Sequence, residues 1–372
     1  MISRSQFLNL SLLFCIKGLF AENVKGQINE RKPTLLSAGY NNGEGFLLKA
    51  FSIYGLELYS INLPTRGHSI SINPKTLEGA IITRSPGESI IIFDRFSGGT
   101  IKKIINTNGF HYYGHGFYSD DGRWLYTSEN EYNSGRGMVG IYDSKDSYKL
   151  VKRISSNGIE PHEISFLKNT KIGVIANGGI LTHPDSGKTK LNIQNMESNL
   201  TYLNLITGES LSIKKLSPEL KLMSIRHIDV SEKNKVAFAM QYQGSLNDVY
   251  PLVGISDIYS EIQLFDTPKE ILYRMNNYCG SICFDSSGDL LAVSNPRGNI
   301  ITFWNVTKKC YHSFIEIKDG CGLSPGLAPN SFFISNSYGD LINYWPITKE
   351  KIYVVYSSDF FNFDNHLKLV FI

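Results

Sequence analysis

Short segments of alternating apolar and polar residues recur along the chain, and each ends in an aromatic residue, an Asp, Asn or substitute, and a turn. Alternation with a period of two is typical of a β-strand in which one face is buried. The pattern therefore predicts seven copies of one strand-rich unit. The clear copies are residues 91–94, 140–143, 263–266 and 302–305, and the weaker ones are residues 57–60, 201–204 and 343–346.

A second phrase precedes this one in most units, and in four units it begins with a histidine. These are His68, His115, His162 and His227, and the same phrase begins at Ser281 without a histidine. A further apolar segment lies between the two phrases and another follows them, so each unit reads as four strands. Four-stranded units repeated about every 40 residues are the signature of a β-propeller. The sequence predicts an all-β protein, a single seven-bladed β-propeller of four-stranded antiparallel blades.

The predicted propeller spans residues 34–358, and residues 359–372 are assigned to a C-terminal tail. In this scheme the strand around residues 352–356 closes the ring against the first blade. The connections between second and third strands are enlarged at residues 178–199 and 244–259, and a third extension lies at residues 129–136. Long loops on a rigid scaffold are frequent sites of binding function.

The amino-acid composition is typical of a folded protein and restricts the classes of partner that it could bind. Hydrophobic residues make up 42% of the 372 positions and charged residues only 19%, which excludes wholesale disorder. The 37 Lys and Arg residues nearly balance the 34 Asp and Glu residues without forming a basic cluster in sequence. This argues against nucleic acid as the main partner.

Residues 1–24 have the outline of an export signal. Arg4 precedes an apolar run from Phe7 to Ile16, and the small residue Ala21 follows. The segment resembles a twin-arginine signal in which Ser5 replaces the second arginine, or a general secretory leader. A buried N-terminal strand or an amphipathic arm is the alternative. The run is too short to span a bilayer, so no membrane span is expected in the mature chain, which we expect in the periplasm.

The cysteines beyond residue 24 show no CxxC pair, which disfavours a structural zinc site. Export would permit one disulfide, and Cys279 with Cys321 is the pair to test. Small buried thiols are the alternative interpretation. The four cysteines concerned are Cys279, Cys283, Cys310 and Cys321.

The four repeated histidines are the strongest candidates for chemistry. They begin the predicted innermost strands of four consecutive blades, so they are expected at one mouth of the central channel, on the side of the long loops. Neutral imidazole binds iron, copper and zinc ions, and it also binds the iron of haem. His183 in the longest insertion is a candidate lid ligand, with Asp185 or Glu163 as oxygen donors. Four consecutive blades form an arc, so two or three of the histidines fit one metal more easily than all four.

Two other interpretations of this mouth remain open. Four arginines fall at or near it, and guanidinium groups suit carboxylate or phosphate, with the histidines as hydrogen-bond donors or a general base. Alternatively, the histidines are structural and hydrogen-bond to neighbouring turns. The arginines are Arg66, Arg84, Arg226 and Arg297.

Several longer motifs together resemble the bacterial domain-of-unknown-function family 1513 (DUF1513), from about residue 37 to residue 345. The most specific is Thr-His-Pro-Asp-Ser-Gly-Lys-Thr-Lys-Leu-Asn, which begins at Thr182. The others begin at Gly114, Gly158, Ser224 and Ser294. The resemblance implies an exported, usually periplasmic, seven-bladed propeller. It also implies a role near iron or haem, with imelysin-like and dihaem-peroxidase-like proteins as partners, because such proteins are often encoded beside family members.

The leading hypothesis is an exported propeller that binds a metal, haem or a small anionic ligand at the channel mouth, within periplasmic iron or haem uptake. It is a binding module and not a turnover enzyme, so no catalytic residue is assigned. One alternative is a protein-interaction platform with structural histidines. The other is a metal-dependent hydrolase or redox enzyme that uses the same mouth.

Overall fold

Seven four-stranded antiparallel sheets form the blades of a propeller in a computed structural model that describes residues 31–187, 189–356 and 361–372. The predicted fold class and blade count are confirmed. The predicted export signal at residues 1–24 lies outside the described residues. No helix in the described ranges is both long and apolar enough to cross a membrane.

Blades 1–7 are named in chain order of their second strands, and each strand pairs antiparallel with its neighbours. Blade 1 contains β1 (Pro33–Asn41), β2 (Gly45–Ser52) and β3 (Glu57–Asn62). Blade 2 contains β4 (Gly67–Ile72), β5 (Glu78–Thr83), β6 (Ser89–Asp94) and β7 (Thr100–Ile105). Blade 3 contains β8 (Phe110–Tyr118), β9 (Trp124–Glu131), β10 (Arg136–Asp143) and β11 (Lys149–Ser155). Blades 4 and 5 contain β12 (Pro161–Phe166), β13 (Ile172–Asn177), β14 (Asn199–Asn204), β15 (Ser210–Lys215); and β16 (Met223–Val230), β17 (Val236–Tyr242), β18 (Val253–Ser256), β19 (Gln263–Leu264). Blades 6 and 7 contain β20 (Ser281–Phe284), β21 (Leu290–Asn295), β22 (Ile300–Asn305), β23 (Cys310–Glu316); and β24 (Gly320–Pro325), β25 (Phe332–Asn336), β26 (Leu341–Trp345), β27 (Glu350–Val355).

The last strand, β28 (Asn362–Phe371), completes blade 1 as its innermost strand and pairs antiparallel with β1. The prediction that residues 352–356 close the ring is therefore wrong, because most of them belong to β27 at the outer edge of blade 7. Residues assigned to a C-terminal tail instead form the closing strand. The two ends of the propeller chain are thus held in one sheet.

The helical elements lie in the connections between strands. The one α-helix of the described ranges, α1 (Lys269–Met275), follows the very short outer strand β19 and buries Ile271, Leu272 and Met275. Single turns of 3-10 helix lie at Ser144–Asp146, Pro184–Ser186, Ile193–Asn195, Pro218–Leu220 and Pro296–Gly298.

Adjacent blades pack face to face through apolar and aromatic side chains. Phe303 of blade 6, for example, contacts Phe332 and Tyr344 of blade 7 with ring centroids 5.5 and 5.4 Å apart. Burial of one large apolar side chain stabilises a fold by roughly 1.5–3 kcal/mol. These interfaces make the innermost strands a rigid wall around the channel.

The aromatic phrase marks the third strand in five blades but not in the other two. Residues 57–60 lie in β3 and residues 263–266 begin at β19, both fourth strands. In blade 5 the true third strand, β18, lies inside the residues that the sequence suggested were one long insertion, 244–259. In blade 1 every strand is one place further out than expected, because β28 takes the innermost position.

Two other local expectations are also corrected. Half of the extension at residues 129–136 is strand, since β9 ends at Glu131 and β10 begins at Arg136. Glu129 is fully buried, with its carboxylate 2.6 Å from the Arg153 guanidinium. Cys279 and Cys321 do not form a disulfide, because all four cysteines in the described ranges are free thiols.

Candidate functional site: a histidine cluster in the channel

Five innermost strands each place one histidine in the central channel. His68, His115, His162 and His227 lie on β4, β8, β12 and β16, and His366 lies on β28. The closing strand thus extends the predicted arc of four consecutive blades to five. We call these five residues the histidine cluster.

A β-bulge accompanies each histidine of the cluster. The pairing register between the innermost strand and its neighbour shifts at or beside the histidine in all five blades. A bulge inserts extra residues and redirects side chains, so successive residues no longer alternate strictly between the two faces of the sheet. This local irregularity is how His162 and Glu163, which are adjacent in sequence, both come to face the channel region.

Gly114 allows two of these histidines to approach each other. Its φ of 105° lies in the region that favours glycine. A Cβ atom at this position would lie 2.7 Å from Cδ2 of His68. The glycine that precedes His115 therefore supplies both the backbone conformation and the space beside the His68 ring.

The imidazole rings of the cluster contact one another directly. His115 lies at the centre, with ring centroids 4.7 Å from His68, 4.7 Å from His366, 5.5 Å from His162 and 5.8 Å from His227. Two overlapping sets of three histidines each have a spacing suited to one metal ion. In each set the three ring nitrogens, one from each histidine, lie within 4.8 Å of one another. The sets are His68, His115 and His162, and His115, His227 and His366.

Glu163 orients two of these rings. Its two carboxylate oxygens lie 3.3 Å from Nδ1 of His115 and 3.0 Å from Nδ1 of His227. The backbone N–H of Ile228 also donates to this carboxylate, over 3.1 Å. Because a carboxylate accepts hydrogen bonds, both imidazoles carry their proton on Nδ1 and leave the Nε2 lone pair free. A carboxylate that fixes the tautomer of a ligating histidine is the usual outer partner at a metal site.

Two ring nitrogens of the cluster lack any hydrogen-bond partner. Nε2 of His115 and Nε2 of His366 are buried and unpaired among the described residues. Buried polar atoms almost always have a partner, so such atoms in a folded protein require an explanation. A metal ion bound by both nitrogens would provide it.

His162 differs from the other members because Arg226 occupies its Nδ1. The Arg226 guanidinium donates to this nitrogen over 3.1 Å and also forms an ion pair of 2.8 Å with Glu160. With Nδ1 as an acceptor, the proton of neutral His162 lies on Nε2, which is then not a ligand. This favours the set of His115, His227 and His366 for the metal.

Burial favours the neutral form of four imidazoles of the cluster, those of His68, His162, His227 and His366. Desolvation lowers the pKa of His68 to about 3, although hydrogen bonding to Asp364 opposes the shift. Burial likewise lowers the pKa of His162, His227 and His366 below the usual value for histidine. Neutral imidazole is the form that binds a metal, so these four rings are in the ligating form at neutral pH.

The two acidic partners of the cluster are held as anions. Burial opposes ionisation of Glu163, but its contacts with His115 and His227 hold the pKa of this carboxyl well below its ordinary value. The pKa of Asp364 is lowered in the same way by His68 and Arg66, against the effect of burial. The cluster therefore has fixed negative charge beside neutral rings, a combination that attracts a cation.

Two cavities reach the cluster from opposite sides. The insertion-side cavity, about 670 Å³, is lined by His68, His162, His227 and residues of the 178–199 insertion. The far cavity, about 710 Å³, is lined by His115, His366 and Glu163. The cluster therefore lies between the two cavities, inside the channel and not at its mouth.

The other residues of the predicted site differ in whether they line the insertion-side cavity. Arg84, Arg226 and Arg297 line the insertion-side cavity, whereas Arg66 lines an adjoining pocket and pairs with Asp364. His183 lines the cavity but lies outside the two metal-ligand sets, and it contacts Tyr132 with ring centroids 5.6 Å apart. Asp185 is largely exposed and contacts only His183 among the described residues. Glu163, predicted as an oxygen donor, accepts hydrogen bonds from the imidazoles of His115 and His227.

His366 was missed by sequence reasoning. It begins the phrase His-Leu-Lys-Leu, in which apolar residues alternate as they do after His68 and His227. The assignment of residues 359–372 to a tail hid this signal. A seven-bladed ring whose closing strand is innermost would have suggested the fifth histidine.

Comparison with known proteins agrees with this fold. The family model described as "Protein of unknown function (DUF1513)" matches residues 61–370. Among solved structures, the chain is similar to Kuenenia stuttgartiensis hydrazine synthase, with a TM-score of 0.60 and 11% sequence identity over 91% of this chain and 98% of that chain. At this identity the likeness shows the fold alone. No curated protein matches the chain.

Proposed function

Because the chain belongs to the DUF1513 family, which is defined without a function, we propose from its site geometry that it is a binding propeller for one first-row transition-metal ion. His115, His227 and His366 hold the ion through Nε2, and Glu163 orients the first two. The observation that carries the proposal is the pair of buried, unpartnered Nε2 atoms on His115 and His366.

The three nitrogen donors restrict which metals the site can bind. Three neutral imidazoles suit zinc, copper, iron or nickel, whereas magnesium and calcium prefer oxygen ligands. Three protein ligands leave at least one coordination position open, as in catalytic and transport sites rather than closed structural ones. His68 lies beside His115 and His366 and is the nearest candidate for a fourth nitrogen.

A bare ion fits the cluster better than haem does. The rings pack against one another at centroid separations of 4.4–6.5 Å, mostly edge to face. A porphyrin would have to enter between rings that already contact each other. An absorbance spectrum tests this directly, since haem gives an intense visible band and a bare ion does not.

We further propose that the protein works in the periplasm, in iron uptake with imelysin-like or dihaem-peroxidase-like partners. This part rests only on the leader pattern and the family resemblance. Fractionation of cells that produce the full chain tests the location. Co-purification with an imelysin-like protein tests the partner.

The direct test of metal binding is elemental analysis of the protein purified without chelators, followed by titration with Co²⁺ as a spectroscopic probe. We expect about one ion per chain and the visible bands of Co²⁺ bound by nitrogen ligands. The double variant His115→Ala/His366→Ala should lose both. A folded wild-type protein that binds no Co²⁺ at saturation would overturn the proposal.

His111 provides a matched control. It lies on β8 with His115 and is also buried, but both of its nitrogens have partners, the amide of Asn130 at 3.0 Å and the carbonyl of Tyr112 at 3.2 Å. His111→Gln should therefore keep one ion per chain. Equal metal loss in this variant and in the double variant would show that general destabilisation, and not ligand removal, explains the result.

A further inference from the structure

The insertion-side cavity carries a marked excess of positive charge. Four cations line it against a single carboxylate, Glu160, although the whole chain has a net charge of only +3. The cations come from four different blades, so they surround the cavity instead of forming one surface stripe. They are Arg84 of blade 2, Lys190 of blade 4, Arg226 of blade 5 and Arg297 of blade 6.

Much of this charge is not neutralised by the protein. Arg226 pairs with Glu160, yet its Nε atom is buried and has no hydrogen-bond partner within residues 31–187, 189–356 and 361–372. Among the described residues, Arg84 and Arg297 form no ion pair with a carboxylate. The guanidinium of Arg297 instead lies over the Tyr278 ring, 4.2 Å from its centroid. Arg84 and Arg226 are half-buried, whereas Lys190 and Arg297 are exposed at the cavity edge. Half-buried cations without a full counter-charge are unfavourable unless a ligand supplies it.

The electrostatics agree with this geometry. Burial lowers the pKa of Arg84, and the nearby Arg66 lowers it further. The pKa of Lys190 is lowered by burial and then by repulsion from Arg226 and Arg297. The cavity therefore brings like charges close together, and a bound anion would reduce their repulsion.

We propose that the insertion-side cavity binds a small organic polyanion, one with several carboxylate groups. Arg84 and Arg297 bind it as guanidinium forks, and Lys190 and Arg226 bind it from the other blades. A polyanion fits better than a single inorganic ion because the cations are distributed around about 670 Å³, a volume typical of small-molecule sites. The aromatic residues Tyr113, Tyr242 and Tyr278 line the same space and suit an organic framework.

The position of the cavity links this ligand to the metal. His68, His162 and His227 line the cavity and belong to the histidine cluster. Of the three proposed ligands, only His227 lines this cavity, whereas His115 and His366 line the far cavity. The polyanion would therefore approach the ion from the His227 side, where one of its carboxylates can take an open coordination position. The inference deepens the proposed metal function and rests on it for this last contact only, since the arginines recognise the anion without the metal.

The test is calorimetric titration of the metal-free and the zinc-loaded protein with citrate, inorganic phosphate and acetate. Citrate should bind more tightly than phosphate or acetate to both forms, and more tightly to the zinc-loaded form. The double variant Arg84→Gln/Arg297→Gln should weaken citrate binding at least tenfold while its Zn²⁺ affinity is unchanged. Arg136→Gln is the control, because this arginine is exposed and paired with Glu131 outside the cavity.

The outcomes separate this inference from the metal proposal. Citrate binding that depends on the arginines in a protein that binds no zinc would support the inference and overturn the metal site. Citrate binding that is unchanged in the double variant would overturn the inference, whether or not zinc binds. Citrate affinity no higher than that for acetate would overturn it as well.

Discussion

His115 and His366 meet in the channel with ring centroids 4.7 Å apart and planes at 86°, and each has a buried Nε2 that finds no partner in the part of the chain that the structure describes. His115 comes from the third blade, whereas His366 comes from the strand that closes the ring. The contact exists only when the propeller is complete. Formation of the proposed metal site is therefore coupled to closure of the fold, and a bound ion would stabilise the closed ring.

Replacement of Glu163 by Gln should lower metal affinity about 10- to 100-fold, the usual effect of losing an outer-shell partner. The Gln carbonyl can accept from one imidazole, but its NH₂ group cannot accept from the other, so one of His115 and His227 loses its fixed tautomer. Competition with a chromophoric chelator measures the change.

Glu131→Gln is the control for this prediction, because Glu131 pairs with Arg136 on the β9–β10 hairpin, away from the histidine cluster. It should leave the affinity unchanged. An unaltered affinity in Glu163→Gln itself, in a folded protein, would show that the carboxylate does not orient the ligands.

The sequence predicts the blades well because their period is imposed by a repeated physical unit. The alternation of apolar residues on innermost strands is visible around His68 and His227, and both are in the channel. The prediction failed for the closing strand because residues 359–372 were assigned to a tail, although apolar residues alternate after His366 as well. The sequence pattern also assigned residues 263–266 to the third strand of blade 5, whereas they begin at the fourth strand, because the third strand, β18, lies within an apparent insertion.

The details of the site could not be predicted because they depend on bulges and contacts between blades. Glu163 is adjacent to His162 in sequence but hydrogen-bonds to His115 and His227, on the neighbouring blades. The Arg226–His162 contact, which changes the ligand set, likewise joins two blades. The sequence pattern identifies which histidines are candidates, but the tautomer of each imidazole follows only from its hydrogen-bond partners in the folded protein.

The metal-free protein should lose stability as the pH falls below about 6.5, the ordinary pKa of histidine. Burial lowers the pKa of His366 in the folded state, so in this range the unfolded chain binds a proton that the folded chain does not. Stability then rises with pH. His68, His162 and His227 act in the same direction. Asp229, whose pKa burial raises to about 6, opposes them below that pH.

Denaturant unfolding between pH 7.5 and 5.5, with a chelator present, measures this dependence. His366→Asn should reduce the slope of the unfolding free energy by up to one proton, about 1.4 kcal/mol per pH unit. His312→Asn should not change it, because His312 is exposed on the outer strand β23. Equal slopes in wild type and His366→Asn would contradict the prediction.

Gly114→Ala should destabilise the fold and weaken metal binding. The new methyl group would meet the His68 ring, and alanine is disfavoured at a φ of 105°. Gly109→Ala separates the two causes, since Gly109 has a φ of 89° but open space around its Cβ position. We expect a loss of about 1 kcal/mol in Gly109→Ala with unchanged Zn²⁺ affinity. A larger loss together with weaker Zn²⁺ binding is expected for Gly114→Ala, and identical behaviour of the two variants would refute the role of the His68 contact.

Three of the four described cysteines should be unreactive in the native protein. Burial raises the pKa of Cys279 to about 12 and raises that of Cys283 and Cys321. Because the thiolate is the reactive form, these thiols should resist an aromatic disulfide reagent, whereas the half-buried Cys310 should react. In a Cys15→Ser background we expect one reactive thiol in the native protein and four after unfolding without reductant. Cys310→Ser should abolish the native reaction. Only two thiols after unfolding would reveal a disulfide and would restore the Cys279–Cys321 pairing as the first candidate.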